Sequence, residues 1–217
     1  MPRLPLGPGE FERKRRAYSP ASERAIRDLQ AESGEPATCP ASNIFFKRAL
    51  EGRRFRRAID LGCHAGIFAT EVLAPVSGRL VLVDFSAKAL QAAKARLPRA
   101  DALRADLAKE LPLRGRFDLV ALCEVIQHMP DPVAREAAFQ AAAGLLEPDG
   151  ILLFSTYFLA PGEPAEGFFR SDRHPHLLFY HRSAEAENAR RFAGAGLKAL
   201  DRMREARVDA FVLTNSP

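Results

Sequence analysis

The amino-acid sequence predicts an α/β domain with a mostly parallel sheet and helices on both of its faces. Between residues 57 and 157, apolar runs of strand length alternate with segments of helical periodicity. The first run contains Asp60 and leads into a turn with Gly62 and Gly66, and the second run ends at Asp84. A strand, a glycine turn, a helix and a second strand that ends in an acid form the βαβ pattern of a nucleotide site.

A short helical extension is expected before this domain. Residues 1–17 are predicted to be irregular because three of the first eight are prolines. A helix from residue 19 to about 30 has proline at its first helical position, and Ser42 is the predicted N-cap of a second helix. We place the extension, a candidate lid, at residues 1–50 and the domain at residues 51–217.

Within the domain, periodicity and helix-breaking residues predict the order of the elements. Strands are expected at 57–61, 79–84, 102–106, 117–122, 150–157, 197–203 and 207–213, and helices at 66–75, 87–97, 132–146 and 183–195. The last two strands are close enough in sequence to form an antiparallel hairpin. Residues 158–182 are expected to form a loop, and its length favours a functional role.

Length and composition agree with one domain. A chain of 217 residues is long enough for one sizeable core. No apolar run could span a bilayer, and the N-terminus lacks the apolar core of a signal peptide. Cys39, Cys63 and Cys123 are widely spaced and suit a reducing compartment. We expect a cytoplasmic protein without membrane contact; the oligomeric state is left open.

The net charge of +5 is unevenly distributed. Residues 1–57 contain 13 Lys and Arg against 7 Asp and Glu, a balance of +6, whereas residues 58–217 contain 19 against 20, a balance of −1. One interpretation is a solvated, partly mobile arm. The other is a basic collar for an acidic substrate or a nucleic acid.

The glycine turn excludes some ligands. A dinucleotide site needs Gly-x-Gly-x-x-Gly, but here His64 stands where the middle glycine would be, and there is no phosphate loop for a nucleoside triphosphate. The spacing Asp60-x-Gly62-x-His64-x-Gly66 resembles the first motif of the class I S-adenosylmethionine-dependent methyltransferases. In that family the loop holds the methionine part of the cofactor.

Later segments resemble further motifs of the same family in the same order. They are Ala102–Asp106 for the third strand, Phe117–Asp131 for the fourth strand and the segment after it, and Leu145–Phe154 for the turn and the fifth strand. The resemblance covers residues 57–157. It implies a Rossmann-like sheet of seven strands, mostly parallel, with an antiparallel C-terminal strand, and S-adenosylmethionine as cofactor.

The resemblance also implies which residues bind the cofactor. Asp60 would approach its amino end and Asp84 the two ribose hydroxyls, while Asp106 would receive the adenine amino group and Leu107 would offer a backbone N–H. Phe85 packs either on the adenine or in the core. The same site includes Gly62, Cys63, His64, Gly66, Cys123 and Glu124, although the preferred interpretation of the two cysteines is that they are small buried fillers. The β-carbon of His64 should leave less room for the cofactor to approach the loop, unless the loop opens slightly or the imidazole itself binds the cofactor.

The chemistry that the family implies is displacement at a methyl group activated by a sulfonium. The protein must align the acceptor and exclude water, and a base is needed if the acceptor loses a proton. His128, after the fourth strand, is the first candidate base, although in the family this histidine is often structural. His181 is the second candidate. No metal site is expected, because Gln127 stands where a metal-binding relative would need a carboxylate.

The acceptor is expected to meet aromatic and histidine side chains around the long loop. The candidates are Tyr18, Tyr157, Phe168, Phe169, His174, His176 and Tyr180, with Phe179 beside them. The alternative is that these aromatics merely hold the loop on the domain. A small-molecule methyltransferase leads the hypotheses. Its rivals are an RNA or protein methyltransferase that docks through the basic N-terminus and a non-catalytic cofactor-binding assembly factor.

Overall fold

The computed structural model describes residues 8–17, 28, 39–109, 111–170, 177–205 and 207–216. Its helices are α1 (Pro8–Ala17), α2 (Pro40–Ala49), α3 (Ala87–Arg96), α4 (Pro132–Gly144) and α5 (Glu185–Gly194). A π-helical turn at Ala69–Leu73 continues into 3-10 turns at Ala74–Val76, and a further 3-10 turn lies at Ile126–His128. The strands are β1 (Phe55–Leu61), β2 (Ser77–Asp84), β3 (Asp101–Arg104), β4 (Phe117–Cys123), β5 (Leu146–Tyr157), β6 (Glu166–Arg170), β7 (Leu177–His181), β8 (Leu197–Glu205) and β9 (Val208–Asn215).

Seven strands form one sheet in the order β3-β2-β1-β4-β5-β9-β8. The strands β1 to β5 are parallel, and β9 runs antiparallel to both of its neighbours, β5 and β8. This arrangement confirms the α/β class and the mostly parallel sheet with an antiparallel C-terminal strand. The strand order reverses direction between β1 and β4, and open α/β sheets bind ligands outside the carboxyl ends of the strands at such a point.

Helices cover both faces of the sheet, and each face has its own apolar core. On one face, Phe46 and Leu50 of the α2 region pack with side chains of residues 68–73 and of α3. On the other face, Phe139 of α4 packs with Phe154 and Phe192. Full burial of each large side chain contributes roughly 1.5–3 kcal/mol to folding. The helix α2 is therefore part of the folded domain and not a free arm.

The structure corrects the expected N-terminal elements. Residues 1–17 are not wholly irregular, because α1 occupies Pro8–Ala17 with proline at its start, where the missing N–H costs nothing. Ser42 is not the N-cap of α2. The helix begins two residues earlier, at Pro40, and the Ser42 hydroxyl donates instead to the Cys39 carbonyl at 2.7 Å. The helix predicted from residue 19 lies outside the described residues except for Asp28, which is helical.

One further expectation was wrong in part. Residues 158–182 are not simply a loop, because β6 and β7 pair as an antiparallel hairpin within them. The aromatic and aliphatic residues of these two segments suit strands. The helix predicted at 66–75 is present as helical turns over residues 67–76, although its middle is π-helical and its end is a 3-10 turn.

Candidate active site

The turn after β1 brings a buried acid and a required glycine together. Asp60 is only 2% exposed, and within the described part of the chain its Oδ2 atom has no hydrogen-bond partner. Gly62 has φ +82°, and a β-carbon there would lie 2.5 Å from a methyl group of Val125. Any other residue would therefore strain the turn and displace the segment after β4. The glycine keeps the two loops in close contact.

The end of β2 is tied to the same turn. The carboxylate of Asp84 accepts hydrogen bonds from the backbone N–H of His64 at 2.8 Å and of Ser86 at 2.9 Å. His64 has φ +48°, the left-handed conformation that glycine would adopt without strain. The two bonds fix the orientation of the Asp84 carboxylate at the tip of the strand. The departure from glycine at position 64 is thus accommodated by the backbone.

Electrostatics distinguish the two acids of this turn. Burial raises the pKa of Asp60 to about 8, and the negative charge of Asp84 adds to the rise. An unpaired buried carboxylate is costly in this setting, and a cationic partner would offset that cost. Burial likewise raises the pKa of the Cys63 and Cys123 thiols, so neither is a reactive thiolate near neutral pH.

The turn packs tightly on itself. A cavity of about 10 Å³, room for about one water molecule, is lined by Asp60, Gly62, Cys63, His64, Ile67, Phe68 and Cys123. The structure thus brings together five of the residues assigned to the cofactor from the sequence. Gly66 serves a different purpose: a β-carbon there would lie 2.9 Å from the Ala93 side chain, so it allows α3 to approach.

The expected adenine-side residues lie along the neighbouring strand ends. Asp106 follows β3, and its Oδ1 atom accepts from the Ala108 N–H at 3.0 Å. Leu107 is buried, whereas Phe85 is half-buried after β2. The N–H of Ala105 donates to the Asp84 carbonyl, which joins the two strand ends. These positions agree with one continuous edge from β1 to β3.

Glu124 joins this edge to the N-terminal extension. It follows β4 with φ +55°, and its carboxylate accepts from the Cys39 N–H at 2.5 Å and from the Ser42 hydroxyl at 3.4 Å. Burial raises the pKa of Glu124 to about 7, against the opposing effect of these two hydrogen bonds. The side chain therefore caps the first turn of α2 from another part of the fold. The sequence offered no signal for this contact.

His128 is held in a defined tautomer by the hairpin. Its Nδ1 atom lies 3.0 Å from the Phe179 carbonyl oxygen. A carbonyl only accepts, so Nδ1 donates, and the neutral ring carries its lone pair on Nε2. The ring meets Tyr157 edge-on, with ring centroids 5.8 Å apart. This is the arrangement that a general base requires, in which one nitrogen is anchored and the other is basic.

The two faces of the hairpin have different surroundings. On one face Phe168 packs against both Phe179 and Phe11 of α1, with ring centroids 5.7 Å apart in each pair. On the other face Tyr180 packs with Leu178 and Tyr157. The cross-strand partner of Tyr180 is Gly167, where a β-carbon would meet the tyrosine hydroxyl. Of the predicted acceptor residues, Tyr157 and Tyr180 thus lie together beside His128, and Phe168 faces α1.

His181 is the last residue of β7 and belongs to a network of charged side chains. Its Nε2 atom is 3.0 Å from Glu187, and its Nδ1 atom is 3.4 Å from Glu166. Burial alone would lower the pKa of His181, but the carboxylates of Glu166 and Glu187 outweigh it and the pKa is raised. Glu166 also pairs with Arg135 of α4 at 3.0 Å. A histidine held between two carboxylates favours the imidazolium and is a poor base.

Several sequence-predicted residues cannot be placed. Tyr18, His174 and His176 lie outside the described residues, and so does the side chain of Phe169. Sequence reasoning missed Ser86, which caps α3 by accepting from the Ala89 N–H at 3.0 Å and also contacts Asp28 of the extension. The serine that precedes the helical pattern was the available signal.

A parallel sheet of this strand order, with an acid and glycines after β1 and an acid at the tip of β2, defines the class of Rossmann-like domains that bind a nucleoside-derived cofactor. The family described as "Methyltransferase domain" matches residues 58–150. The ubiquinone biosynthesis O-methyltransferase of Chromobacterium violaceum is 31% identical over 165 residues, which cover 68% of each chain. The chain belongs to the class I S-adenosylmethionine-dependent methyltransferases, and its cofactor is S-adenosylmethionine.

Other relatives agree with this family. The physcion biosynthesis cluster O-methyltransferase of Aspergillus chevalieri is 34% identical over 103 residues, which cover 45% of this chain and 46% of the relative. The 1,6-didemethyltoxoflavin-N1-methyltransferase of Burkholderia thailandensis shares the fold, with a TM-score of 0.67, 20% identity and coverage of 100% of this chain and 94% of that one. The chain spans about half the length of most curated relatives that it matches. Among the described helices, none combines the length and apolar character needed to cross a membrane.

Proposed function

We propose that the protein transfers a methyl group from S-adenosylmethionine to a small-molecule acceptor. The observation that carries the proposal is the pair of acids at the glycine turn: the buried Oδ2 atom of Asp60 has no hydrogen-bond partner among the described residues, and the Asp84 carboxylate is fixed by two backbone hydrogen bonds. A buried carboxylate suits the cationic amino group of the cofactor, and a carboxylate with fixed orientation suits two ribose hydroxyls. The loop would open to admit the cofactor, because the cavity at the turn has room for about one water molecule.

The residues that follow each strand would complete the cofactor site. Asp106 and Leu107 would meet the adenine, with Phe85 beside it, and Cys63, His64, Cys123 and Glu124 would border the methionine part. When bound, S-adenosylmethionine supplies a methyl carbon whose bond to sulfur breaks as a lone pair of the acceptor bonds to it, which leaves a neutral thioether.

The protein would contribute proton transfer and orientation. His128 is the proposed base: its Nε2 atom would take the proton of an acceptor hydroxyl or ammonium while Nδ1 stays bonded to the Phe179 carbonyl. Tyr157 and Tyr180 would form the wall of the acceptor site. His181 is the less suitable base because its raised pKa favours the protonated form. A small-molecule acceptor is favoured by the relatives, whose names include O- and N-methyltransferases of small molecules.

The N-terminal extension, residues 1–50, is the proposed cover of the site. Three of its contacts support this: Phe11 packs on Phe168 of the hairpin, Arg15 donates to the Pro130 carbonyl at 3.2 Å, and Asp28 contacts Ser86 beside the ribose position. These contacts join α1 to the hairpin and the extension to the tip of β2. A cover of this kind would exclude water during transfer. The cytoplasmic location stays a prediction.

The decisive experiment measures formation of S-adenosylhomocysteine with a panel of phenols, amines and nitrogen heterocycles. In the variant His128→Asn, the amide nitrogen can still donate to the Phe179 carbonyl, but the basic nitrogen is lost. We expect turnover to fall by about 10²–10⁴-fold while S-adenosylhomocysteine affinity, measured by calorimetry, stays unchanged. Full turnover in His128→Asn would assign the histidine a structural role.

The rival functions predict different results. A methyltransferase acting on RNA would bind it with an affinity that falls steeply with salt, because phosphate contacts release counterions. A non-catalytic assembly factor would bind S-adenosylhomocysteine but turn over no acceptor. Cofactor binding without any turnover across the panel would favour that rival.

A further inference from the structure

Unpaired polar atoms gather at one edge of the sheet. In the described part of the chain, buried side-chain nitrogen and oxygen atoms without a hydrogen-bond partner include those of Gln127 after β4, Thr156 at the end of β5, and Ser183 after β7. Folded proteins leave few such atoms unpaired, because each costs about 1–3 kcal/mol. All three residues lie at the carboxyl edge, where this class of sheet binds its ligands.

Gln127 has the largest unused capacity among them. Its side chain is 0% exposed, and among the described residues neither its Nε2 nor its Oε1 atom has a partner. By contrast, the buried amide of Asn188 keeps its oxygen paired with Arg191 at 2.6 Å. A carboxamide can donate two hydrogen bonds and accept two. The fold therefore retains a buried donor and a buried acceptor in one plane without using either.

The position of Gln127 points to the acceptor and not to the cofactor. It lies in the 3-10 turn Ile126–His128, which directly follows β4 and packs against α4, β5 and β7. The next residue is the proposed base His128, which is bonded to β7 through the Phe179 carbonyl. The residues around the small cavity at the glycine turn do not include Gln127. The amide thus belongs to the part of the edge that the hairpin covers.

We propose that Gln127 recognises the acceptor, and that the acceptor is a planar molecule with a hydrogen-bond donor and acceptor side by side on one edge. A lactam or a hydroxyl next to a carbonyl has this pattern. Two parallel hydrogen bonds to the amide would fix the orientation of the ring in its plane. The inference rests on the proposed function, because it specifies the substrate class of the same site.

Because residue 127 is a glutamine, the hydrogen-bonding edge of the acceptor is expected to be uncharged. A carboxylate at this position would favour a cation, whereas an amide offers one donor and one acceptor without net charge. In a buried site the unpaired amide would reject a ring that lacks the matching edge, since sites built to hydrogen-bond their substrate discriminate strongly against analogues without the bonding group. Recognition of this kind would select the acceptor without help from the charged N-terminus.

The test compares Gln127→Leu, which has similar volume and no polar atoms, with Thr156→Val, which removes another unpaired polar group at the same edge. Binding to the protein saturated with S-adenosylhomocysteine is measured by ligand-observed NMR for two matched pairs, 2-quinolone against quinoline and uracil against pyrimidine. In at least one pair, the native protein and Thr156→Val should bind the compound with the adjacent donor and acceptor, 2-quinolone or uracil, about tenfold or more tightly than the other compound. Gln127→Leu should lose that preference.

Two further measurements do not depend on the probes. Gln127→Leu should keep or raise the melting temperature and leave S-adenosylhomocysteine affinity unchanged, and for any acceptor that is turned over it should raise KM more than it lowers kcat. A lower melting temperature would mean that the amide is paired within the protein and would overturn the inference. No preference in either pair, or an unchanged KM, would overturn it as well. If the native protein shows this binding preference but turns over no acceptor, the result would contradict the proposed function and not the inference about Gln127.

Discussion

The glycine-turn edge, formed by the ends of β1 to β3, and the hairpin with its N-terminal cover are built in different ways. At the edge, the backbone at the ends of neighbouring strands sets the geometry: His64 and Ser86 donate to Asp84, and Gly62 lets the turn meet Val125. The hairpin region depends on contacts between distant segments, such as Phe11 with Phe168. The first region carries the sequence motif that the family has at its cofactor site. The second is held together by tertiary contacts, and we propose that it binds the acceptor.

This difference predicts which property each region controls. Substitutions at the glycine-turn edge should change cofactor affinity more than stability, whereas changes in the hairpin and its cover should change stability and turnover more than cofactor affinity. Glu124 connects the two, because it follows β4 and caps α2.

The largest effect is expected from N-terminal truncation. Deleting residues 1–50 removes Phe46 and leaves its core unfilled; Leu50, only 1% exposed, is lost with it. Loss of such side chains costs about 2–5 kcal/mol each, a large part of the roughly 5–15 kcal/mol that stabilises a domain. We expect this truncation to fold poorly, with a greatly lowered melting temperature. Of the described residues, deleting residues 1–30 removes α1 and Asp28, and it should leave a folded protein with weakened turnover.

The control for this experiment is the full-length variant Phe46→Ala, which keeps the cover and loses only core packing. It should be destabilised by about 3–5 kcal/mol yet retain turnover at low temperature. Cofactor affinity in the shorter truncation should fall only modestly. Full turnover in that truncation would refute the assignment of residues 1–30 to a cover.

The next largest effect is expected from Asp84→Ala at the glycine-turn edge. It removes two charge-assisted hydrogen bonds proposed for the ribose, each worth roughly 1.5–3 kcal/mol, so cofactor affinity should fall about a hundredfold or more. The variant also leaves the N–H groups of His64 and Ser86 without their acceptor, which adds a stability loss of roughly 1–3 kcal/mol. Calorimetry and thermal melting separate the two effects. Unchanged cofactor affinity would invalidate the assignment of the first two strands.

The same division explains what the sequence could predict. The succession of strands and helices, the antiparallel C-terminal strand and the glycine turn were predicted from periodicity, spacing and the family resemblance, and the structure confirms the fold class. The β6–β7 hairpin was missed because its register depends on pairs such as Phe168 with Phe179 and on the Gly167–Tyr180 fit, which only the folded chain reveals. The contact of Glu124 with the Cys39 N–H joins residues 85 positions apart, and contacts over such a separation leave no periodic signal in the sequence.

The hairpin region should respond to pH through His181 and Glu187. The pKa of His181 is raised above its ordinary 6.5, so its stabilising effect is complete below about pH 6.5 and disappears as pH rises through the higher folded-state value. Burial opposes ionisation of Glu187, but His181 and Arg191 lower its pKa from 4.5 to about 2, and this contribution is lost as pH falls through that range. Melting temperature should therefore be highest between about pH 4.5 and 6.5 for this pair.

The variant His181→Asn isolates this contribution. At pH 6 its free energy of unfolding should be lower than that of the native protein by at most about 1.5–3 kcal/mol, seen as a lower melting temperature. Its melting temperature should no longer decline as the pH rises above 6. Cofactor affinity should not change. An unaltered pH profile would mean that the imidazolium does not stabilise the hairpin, and a large loss of cofactor affinity would break the division between the two regions.

The smallest effect is expected from His64→Gly. The residue has φ +48°, a conformation that costs a non-glycine residue about 1–2 kcal/mol, and its N–H bond to Asp84 does not need a side chain. Glycine relieves this strain but adds freedom to the unfolded chain, a loss of about 0.4–1 kcal/mol, so the melting temperature should change little. S-adenosylhomocysteine affinity should be kept or slightly improved. His64→Ala is the control, since it removes the imidazole but keeps the strain; a tenfold loss of affinity in both variants would show that the imidazole itself contacts the cofactor.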